Sequence, residues 1–448
     1  MKKLFGTDGV RGKANLFPMT PEVALSLGQA VALYFSKQKK GSRIIIGKDT
    51  RVSSYMFEYA LCAGISSMGV RAILTGPLPT PGIAYLTKAM RADAGIVISA
   101  SHNPFSDNGI KFFDADGFKL PDEVEEQMEE YVFSSKEKPV RPLDADIGRA
   151  FRIEDAVGRY VEFLKSTFPK KRDLKGLKIV VDCAHGAAYQ VAPILFREMD
   201  AEVIPLGAHP NGTNINEHSG ALHPEIMAGM VKEVGADLGI ALDGDADRLI
   251  LCDADGTIMD GDQILSILAL QWKKKGNLAH DTVVGTVMTN MGLEVFLREK
   301  GIRLVRTAVG DRFIMEELRK NGYTLGGEPS GHLILMDLAT TGDGILAALQ
   351  VLAFMLEEGK TLKEMIQDLP LFPQKIKNIP VKEKKDLDSI LLLQKALKDT
   401  EKKMAGKGRI VLRYSGTESL LRLMVEAETE SLVENSIARM ESVIRECL

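Results

Sequence analysis

Cysteine is scarce in this 448-residue chain: Cys62, Cys183, Cys252 and Cys447 stand far apart, with no CxxC spacing. That excludes a disulfide framework and a cysteine zinc site, and it points to a reducing cytoplasm. A basic surplus is missing too. With a formal net charge of −4, the chain is not a general binder of nucleic acid or of acidic membrane, although local phosphate pockets remain open to it. Long apolar runs are absent. The greasiest stretch, "ILAALQVLAFML" (345–356), is too short to span a bilayer and holds Gln350, so it reads as a buried helix. The opening "MKKLFGTDGVRG" has two lysines, but Gly6, Asp8 and Arg11 interrupt any apolar core, and no signal peptide is expected.

What the chain has is alternation. The length suggests several domains, and short β-branched runs are followed repeatedly by helical patterns. "RIIIGKDTR" (43–51) precedes "SYMFEYALCAGISSMG", "LKIVVDCAHG" (177–186) precedes "AAYQVAPILFREMD", and "TVVGTVMTNMG" (282–292) precedes "LEVFLREKG". Strand then helix, repeated, predicts α/β domains with largely parallel sheets.

A repeat underlies the alternation. Aligning Gly95-Ile96 of "ADAGIVISASHNP" with Gly239-Ile240 of "ADLGIALDGDADR" sets Ser101 opposite Asp245 and Pro104 opposite Arg248. "YTLGGEPSGHLIL" (323–335) is a third strand running into a Gly-rich polar loop. Such loops at the C-terminal ends of strands would face one shared cleft, where open α/β sheets bind ligands. Linkers are predicted at 134–148 and 369–386, both rich in Pro and Lys. From about 372 the pattern changes to two strands around "RYSGTES" and a closing amphipathic helix, a small α+β domain. The expected fold is therefore α/β: three related mixed α/β domains with a central cleft, plus a smaller C-terminal α+β domain.

Four loops have the composition of a site. Asp243, Asp245 and Asp247 alternate in "LDGDADR"; like charges packed that closely repel by about 4 kcal/mol per pair at 4 Å and an effective dielectric of 20. A hard divalent cation removes the repulsion, and all-oxygen ligands suit Mg²⁺. An EF-hand is the competing reading, but Arg248 occupies the place of its turn glycine, and a solvated acidic turn is the plain alternative. In "SASHNP" a serine is a weak nucleophile unless activated, and polar turn-forming is the simpler role for its residues. A cation held by the neighbouring repeat would neutralise a phosphate carried on Ser101. Lys111 is then a candidate proton acceptor, provided that burial and nearby cations lower its pKa. Glu328, Ser330 and His332 alternate, so an extended segment would present all three to adjacent sugar hydroxyls. Arg413, Ser415, Gly416, Thr417 and Arg422 have the makings of an anion nest for phosphate.

Taken together and in this order, the loops resemble the α-D-phosphohexomutases along essentially the whole chain. The phosphoserine signature is matched by Ser99-Ala100-Ser101-His102-Asn103-Pro104, and the metal signature by Asp243-Gly244-Asp245-Ala246-Asp247-Arg248. The sugar signature is matched by Gly327-Glu328-Pro329-Ser330-Gly331-His332 and the phosphate signature by Arg413 through Thr417. "LFGTDGVRG", "ISASHNP", "DNGIKFF", "PNGTNIN", "VGDRF" and "TTGDG" resemble the bacterial amino-sugar branch; the glucose/mannose branch is the runner-up. Pro329, Tyr414 and Ser419 depart from the usual pattern, where glutamine or methionine, lysine and proline are frequent.

The resemblance implies a phosphoserine loop domain at 1–153, a metal-binding domain at 154–256, a sugar-binding domain at 257–371 and a phosphate-binding domain at 372–448. It implies that Ser101 is phosphorylated in the active form, and that Ser101 with Asp243, Asp245 and Asp247 holds one Mg²⁺. Proton-transfer roles fall on Lys111 and Arg11, with His102 in support. His332 takes an acid–base or sugar-binding part, Glu328 and Ser330 grip the sugar, and Arg248 supports the active-site phosphate. The implied substrate is a hexosamine phosphate, moved between its 6- and 1-phosphates through a 1,6-bisphosphate on the route to UDP-N-acetylglucosamine. Relatives are often homodimers, although no interface is legible here. A metal-assisted serine phosphatase would need no second phosphate nest, and a non-catalytic sugar-phosphate binder would not need Ser101 with Lys111.

Overall fold

Strands with β-branched residues on both faces must be covered on both sides, and the computed structural model buries them so. It describes residues 4–6, 8–36, 41–134, 140–404, 406–414 and 420–447. These divide into two compact units, Met1–Val284 with Gly310–Ile366, and Gly285–Val309 with Gln367–Leu448.

In the first unit, three sheets repeat one arrangement. Arg43–Lys48 runs parallel to Ala94–Ile98, which is followed by the antiparallel return Asp107–Phe113. Lys178–Asp182 runs parallel to Leu238–Leu242, and Leu249–Asp253 returns. Val283 and Val284 pair in parallel with Leu325–Gly327, and Leu333–Leu335 returns. The sequence alignment that pairs Gly95 with Gly239 also pairs the first and last residues of Ala94–Ile98 and Leu238–Leu242. The polar loops occupy the bend between parallel strand and return, at the C-terminal strand end. The first sheet has six strands, closed at one edge by Val10–Lys13 and at the other by Ala150–Arg152.

The segment "ILAALQVLAFML" lies in the helix Gly344–Glu358, whose residues 344 to 355 are all buried. Gln350, the polar exception, donates to the carbonyl and hydroxyl of Thr167 at 3.2 and 3.1 Å, which satisfies its buried amide. Asp343 caps the helix by accepting from Leu346 N at 2.9 Å, and Tyr160 Oη donates to its other oxygen at 2.6 Å. Among the described residues, no helix is long and apolar enough to cross a membrane.

In the second unit, Leu420–Ala427 is the central strand between Gln374–Pro380 and Gly408–Tyr414, both antiparallel to it. Leu421, Leu423 and Val425 pack on Val433, Ile437 and Met440 of the amphipathic helix Glu430–Cys447. The expected linker at 369–386 is corrected here, since its middle is the edge strand Gln374–Pro380. Only Ile379 of that strand is buried, and Lys and Pro are what an exposed edge tolerates. Segment 285–309 joins this unit: Met291 N donates to Glu426 Oε1 at 2.9 Å, and Arg409 Nη1 donates to Val287 O at 2.8 Å.

Candidate active site

The serine loop rests on a buried polar platform. Strand Arg43–Lys48 runs into Asp49 and Arg51, both fully buried. Asp49 accepts from Arg51 Nε at 2.7 Å, Ser54 Oγ at 2.8 Å and Ser99 Oγ at 2.7 Å. The Arg51 guanidinium donates to the carbonyls of Ser101 (2.8 Å), Asn103 (2.9 Å) and Pro104. Asn216 Nδ2, more than a hundred residues further along the chain, reaches the first two at 2.9 and 3.1 Å. Ser99 Oγ also takes the N–H of Ser101 at 2.9 Å. Held this way, Ser101 adopts φ +49°, a conformation side-chain-bearing residues rarely adopt. The strain is offset by these bonds.

Ser101, 2% exposed, donates its hydroxyl to Asp243 Oδ2 at 2.6 Å. In the repeat the serine stands opposite Asp245; in space it meets Asp243. The His102 ring lies 3.3 Å from the same hydroxyl, and burial, then Arg248, lowers its pKa to about 4. Gly244 fits because a Cβ there would lie 2.6 Å from Ser101 O.

The aspartate loop curls rather than extends, with Ala246 at φ +59°. One oxygen each of Asp243, Asp245 and Asp247 lie within 4.8 Å of one another, and all three residues are buried. Burial, then the other two aspartates, raises the pKa of Asp243 well above the ordinary range; burial, then Asp247, raises that of Asp245. Asp247 goes the other way: burial acts against its charge, but His332 and Lys111 hold its pKa far below normal. Asp245 Oδ1 and Asp247 Oδ1 are buried without a hydrogen-bond partner among the described residues. Unmet acceptors on clustered carboxylates fit a hard divalent cation.

Lys111, 5% exposed, lies 3.0 Å from Asp8, 3.5 Å from Asp245 and 3.7 Å from Asp247. This corrects the expectation of a lowered pKa. Burial acts in that direction, but Asp8, Asp245 and Asp247 outweigh it, and the ammonium is held charged. Asp8 is bound to Arg11 Nη2 at 2.6 Å; burial opposes its charge, yet Lys111 and Arg11 bring its pKa to about 2. Arg11 Nε and Arg248 Nε make no hydrogen bond among the described residues, so two donors beside the aspartates suit an anion.

"GGEPSGH" is also corrected, since it is a tight turn between Leu325–Gly327 and Leu333–Leu335. Gly331 N donates to Glu328 O at 3.0 Å, and Gly331 has φ +89°. Ser330 Oγ donates to Glu328 Oε2 at 3.4 Å, and the other Glu328 oxygen accepts from Gly310 N at 3.0 Å. His332 turns instead toward Asp247, 3.6 Å away. Burial lowers its pKa, but Asp247 and Asp311 raise it to about 9.

A cavity of about 320 Å³ opens against Asp8, Thr80, Lys111, Asp311 and His332. Ser101 is not on its wall, but Thr80 and Lys111 are, and both contact Asp245. In the second unit, Arg413 and Arg422 face each other directly across adjacent strands and line a separate cavity with Asn378 and Met288. Burial, then Arg422, lowers the pKa of Arg413. Ser415, Gly416, Thr417 and Ser419 lie outside the described residues.

Sequence reasoning missed Asp49, Arg51, Asp8, Thr80, Asn216 and Asp311 as site residues. A signal existed for the first pair: "KDTR" puts charge at the end of a buried strand, as "DGDADR" does.

Known proteins bear on these observations. The phosphoglucomutase/phosphomannomutase family models match as alpha/beta/alpha domain I over 2–139, domain II over 158–256, domain III over 260–372, and C-terminal domain over 376–442. A phosphoglucosamine mutase of Geobacter sp. strain M21 is 58% identical over 430 residues, 96% of this chain and 95% of that one. One from Syntrophotalea carbinolica is 54% identical over 444 residues, 99% and 97% of the two chains. Among solved structures, a phosphoglucomutase/phosphomannomutase family protein of Burkholderia thailandensis has TM-score 0.80 at 24% identity, covering 99% of this chain and 96% of that one. The N-acetylphosphoglucosamine mutase of Aspergillus fumigatus, solved with GlcNAc-6P and magnesium, has TM-score 0.70 at 19% identity, with 99% and 96% covered.

Proposed function

The chain belongs to the phosphoglucomutase/phosphomannomutase family, and from that premise we propose that it is a phosphoglucosamine mutase, interconverting glucosamine 6-phosphate and glucosamine 1-phosphate. The observation that carries the chemistry is the Ser101 hydroxyl 2.6 Å from Asp243, within a cluster of buried carboxylates that retains unmet oxygens. The relatives named phosphoglucosamine mutase at 54–58% identity support the substrate.

Ser101 carries the transferable phosphate, and its phosphorylated state is the active one. The phosphate passes to the free hydroxyl of the sugar monophosphate: the P–O bond to Ser101 breaks as the bond to the sugar oxygen forms. The resulting 1,6-bisphosphate turns over, and Ser101 takes back the other phosphate. Asp243, Asp245 and Asp247, with Ser101, would hold Mg²⁺, which would supply charge neutralisation to the transferring group. Arg248 and Arg11 offer their unmet donors to the same group. Lys111 takes up the hydroxyl proton as a neutral amine, a form reached by releasing its own proton first; with Asp245 and Asp247 given over to a metal, Asp8 would be the main carboxylate left to hold it charged. His102 supports the serine. Glu328 and Ser330 grip ring hydroxyls, with His332 beside them. The phosphate not being transferred is assigned to Arg413 and Arg422, with Ser415, Gly416 and Thr417.

The domain boundaries proposed are 1–153, 154–256, 257–371 and 372–448; the family models, over 2–139, 158–256, 260–372 and 376–442, fall one to each proposed domain, the third running one residue past 371. A cytoplasmic location is proposed as well, supported by four free cysteines. The test is kcat/KM for the 6-phosphates of glucosamine, glucose and mannose with Mg²⁺ present. Preference for glucose or mannose overturns the amino-sugar assignment, and release of inorganic phosphate as the main product overturns the mutase.

A further inference from the structure

One carboxylate on the cavity wall has no task in the transfer chemistry. Asp311 opens the helix Asp311–Asn321 and lines the cavity with Asp8, Lys111 and His332. Its Oδ1 accepts the N–H of Arg312 at 2.8 Å, which fixes the side chain at the helix start. The other acidic groups of the cavity are engaged. Asp8 is taken by Arg11 and Lys111, and Asp122 and Glu316 by Arg312 at 2.7 and 2.6 Å. Glu123 lies at the exposed rim. Asp311 makes no ion pair within 4 Å among the described residues, and it is only partly exposed. The cations nearest it are committed elsewhere, Lys111 to Asp8, Asp245 and Asp247, and His332 to Asp247.

The position of Asp311 in the chain matters as much as its charge. The preceding residue, Gly310, donates its N–H to Glu328 Oε1 at 3.0 Å, so Asp311 is tied to the loop that grips the sugar. If Glu328 and Ser330 hold adjacent ring hydroxyls, the C2 substituent is the next group along the ring. On the amino-sugar reading above, that substituent is an ammonium.

We propose that Asp311 receives the C2 ammonium of the hexosamine phosphate and is the residue that selects an amino sugar over its 2-hydroxy counterpart. A site whose carboxylate is covered by the bound sugar rejects a ligand lacking the cation, because the carboxylate is then desolvated and unpaired. Burial, then Asp8, raises the pKa of Asp311, while His332 and Lys111 oppose the rise; a bound cation is what relieves the burial.

The experiment compares kcat/KM for glucosamine 6-phosphate and glucose 6-phosphate in the parent, Asp311→Asn and Asp311→Glu. The ratio favouring the amino sugar should fall about 30-fold in Asp311→Asn, equivalent to ~2 kcal/mol, and recover in part in Asp311→Glu. A parent that favours glucosamine 6-phosphate while Asp311→Asn keeps the same ratio overturns the role of Asp311 alone. A parent with no such preference overturns the amino-sugar reading and this role with it. Should the variants fold poorly, the parent suffices. Its preference should decline as pH rises through the pKa of the sugar amine, measured on the free substrate. Asp8, Arg11, Lys111, Asp247 and His332 surround the site for both sugars, so their titration cancels in the ratio. A ratio flat across that range overturns the proposal.

Discussion

Replacing Arg51 by Met keeps the bulk of the side chain and removes its charge and donors, which isolates the platform beneath the serine. The guanidinium is fully buried, bonded to Asp49 at 2.7 Å and to three carbonyls of the serine loop. Losing one partner of a buried pair costs about 3–5 kcal/mol, because the other charge stays buried. Asp49 would retain Ser54 and Ser99 as donors, and Asn216 would still satisfy the Ser101 and Asn103 carbonyls. Those remaining bonds place the expected loss near the lower bound, at about 3 kcal/mol. The assay is the denaturation midpoint by circular dichroism, with mutase activity measured on the folded fraction. Pairing the change with Asp49→Asn should recover part of the loss, with a coupling of about 1–3 kcal/mol. A loss below about 0.5 kcal/mol, the range of an ordinary surface substitution, would refute the platform. So would unaltered activity, since the left-handed Ser101 would then not depend on the bonds assigned to it.

In Ser101→Ala, intact-mass analysis should find no phosphorylated fraction and mutase activity should fall to background; activity equal to the parent would remove Ser101 from the reaction. Chelation should stop transfer while leaving the circular dichroism spectrum intact, and Mg²⁺ should raise the thermal midpoint by mass action. Indifference to both would remove the aspartate cluster from metal binding. Asp343, a carboxyl outside the aspartate cluster, provides a pH test of stability. Burial raises its folded pKa from 3.8 to about 6 despite the bonds from Leu346 and Tyr160. A raised carboxyl pKa favours the protonated folded state, so the associated stability is complete below pH 3.8 and is lost as pH rises through about 6. Asp343→Asn should therefore gain on the parent above pH 6 and lose that advantage below pH 4. An advantage independent of pH would contradict the assignment.

The parts legible in the sequence were those carried by short-range pattern. The strand "AGIVI" and its counterpart "LGIAL" have period, composition and a following polar loop in common, and their ends match in the structure. The aspartate triplet announced itself by charge density. What stayed hidden depends on contacts between distant segments. Arg51 reads as the end of a strand until Ser101 and Pro104 are folded over it. Lys111 reads as a base by burial alone, because Asp8 and Asp247, which reverse the sign, lie far away in sequence. The edge strand Gln374–Pro380 reads as linker because a solvent-facing strand needs little apolar surface.

Gly244 leaves room for nothing between the metal loop and the carbonyl of Ser101. The separation of serine oxygen and aspartate cluster is therefore set by main chain against main chain, while the cavity wall around Asp311 consists of side chains. Evolution or design can then repaint that wall for a different sugar without retuning the transfer distance, provided that Gly244 and the carbonyl it abuts are left alone, together with Asp8, Lys111 and His332 on the same wall. Substrate range and catalytic power would drift as separable traits in this architecture.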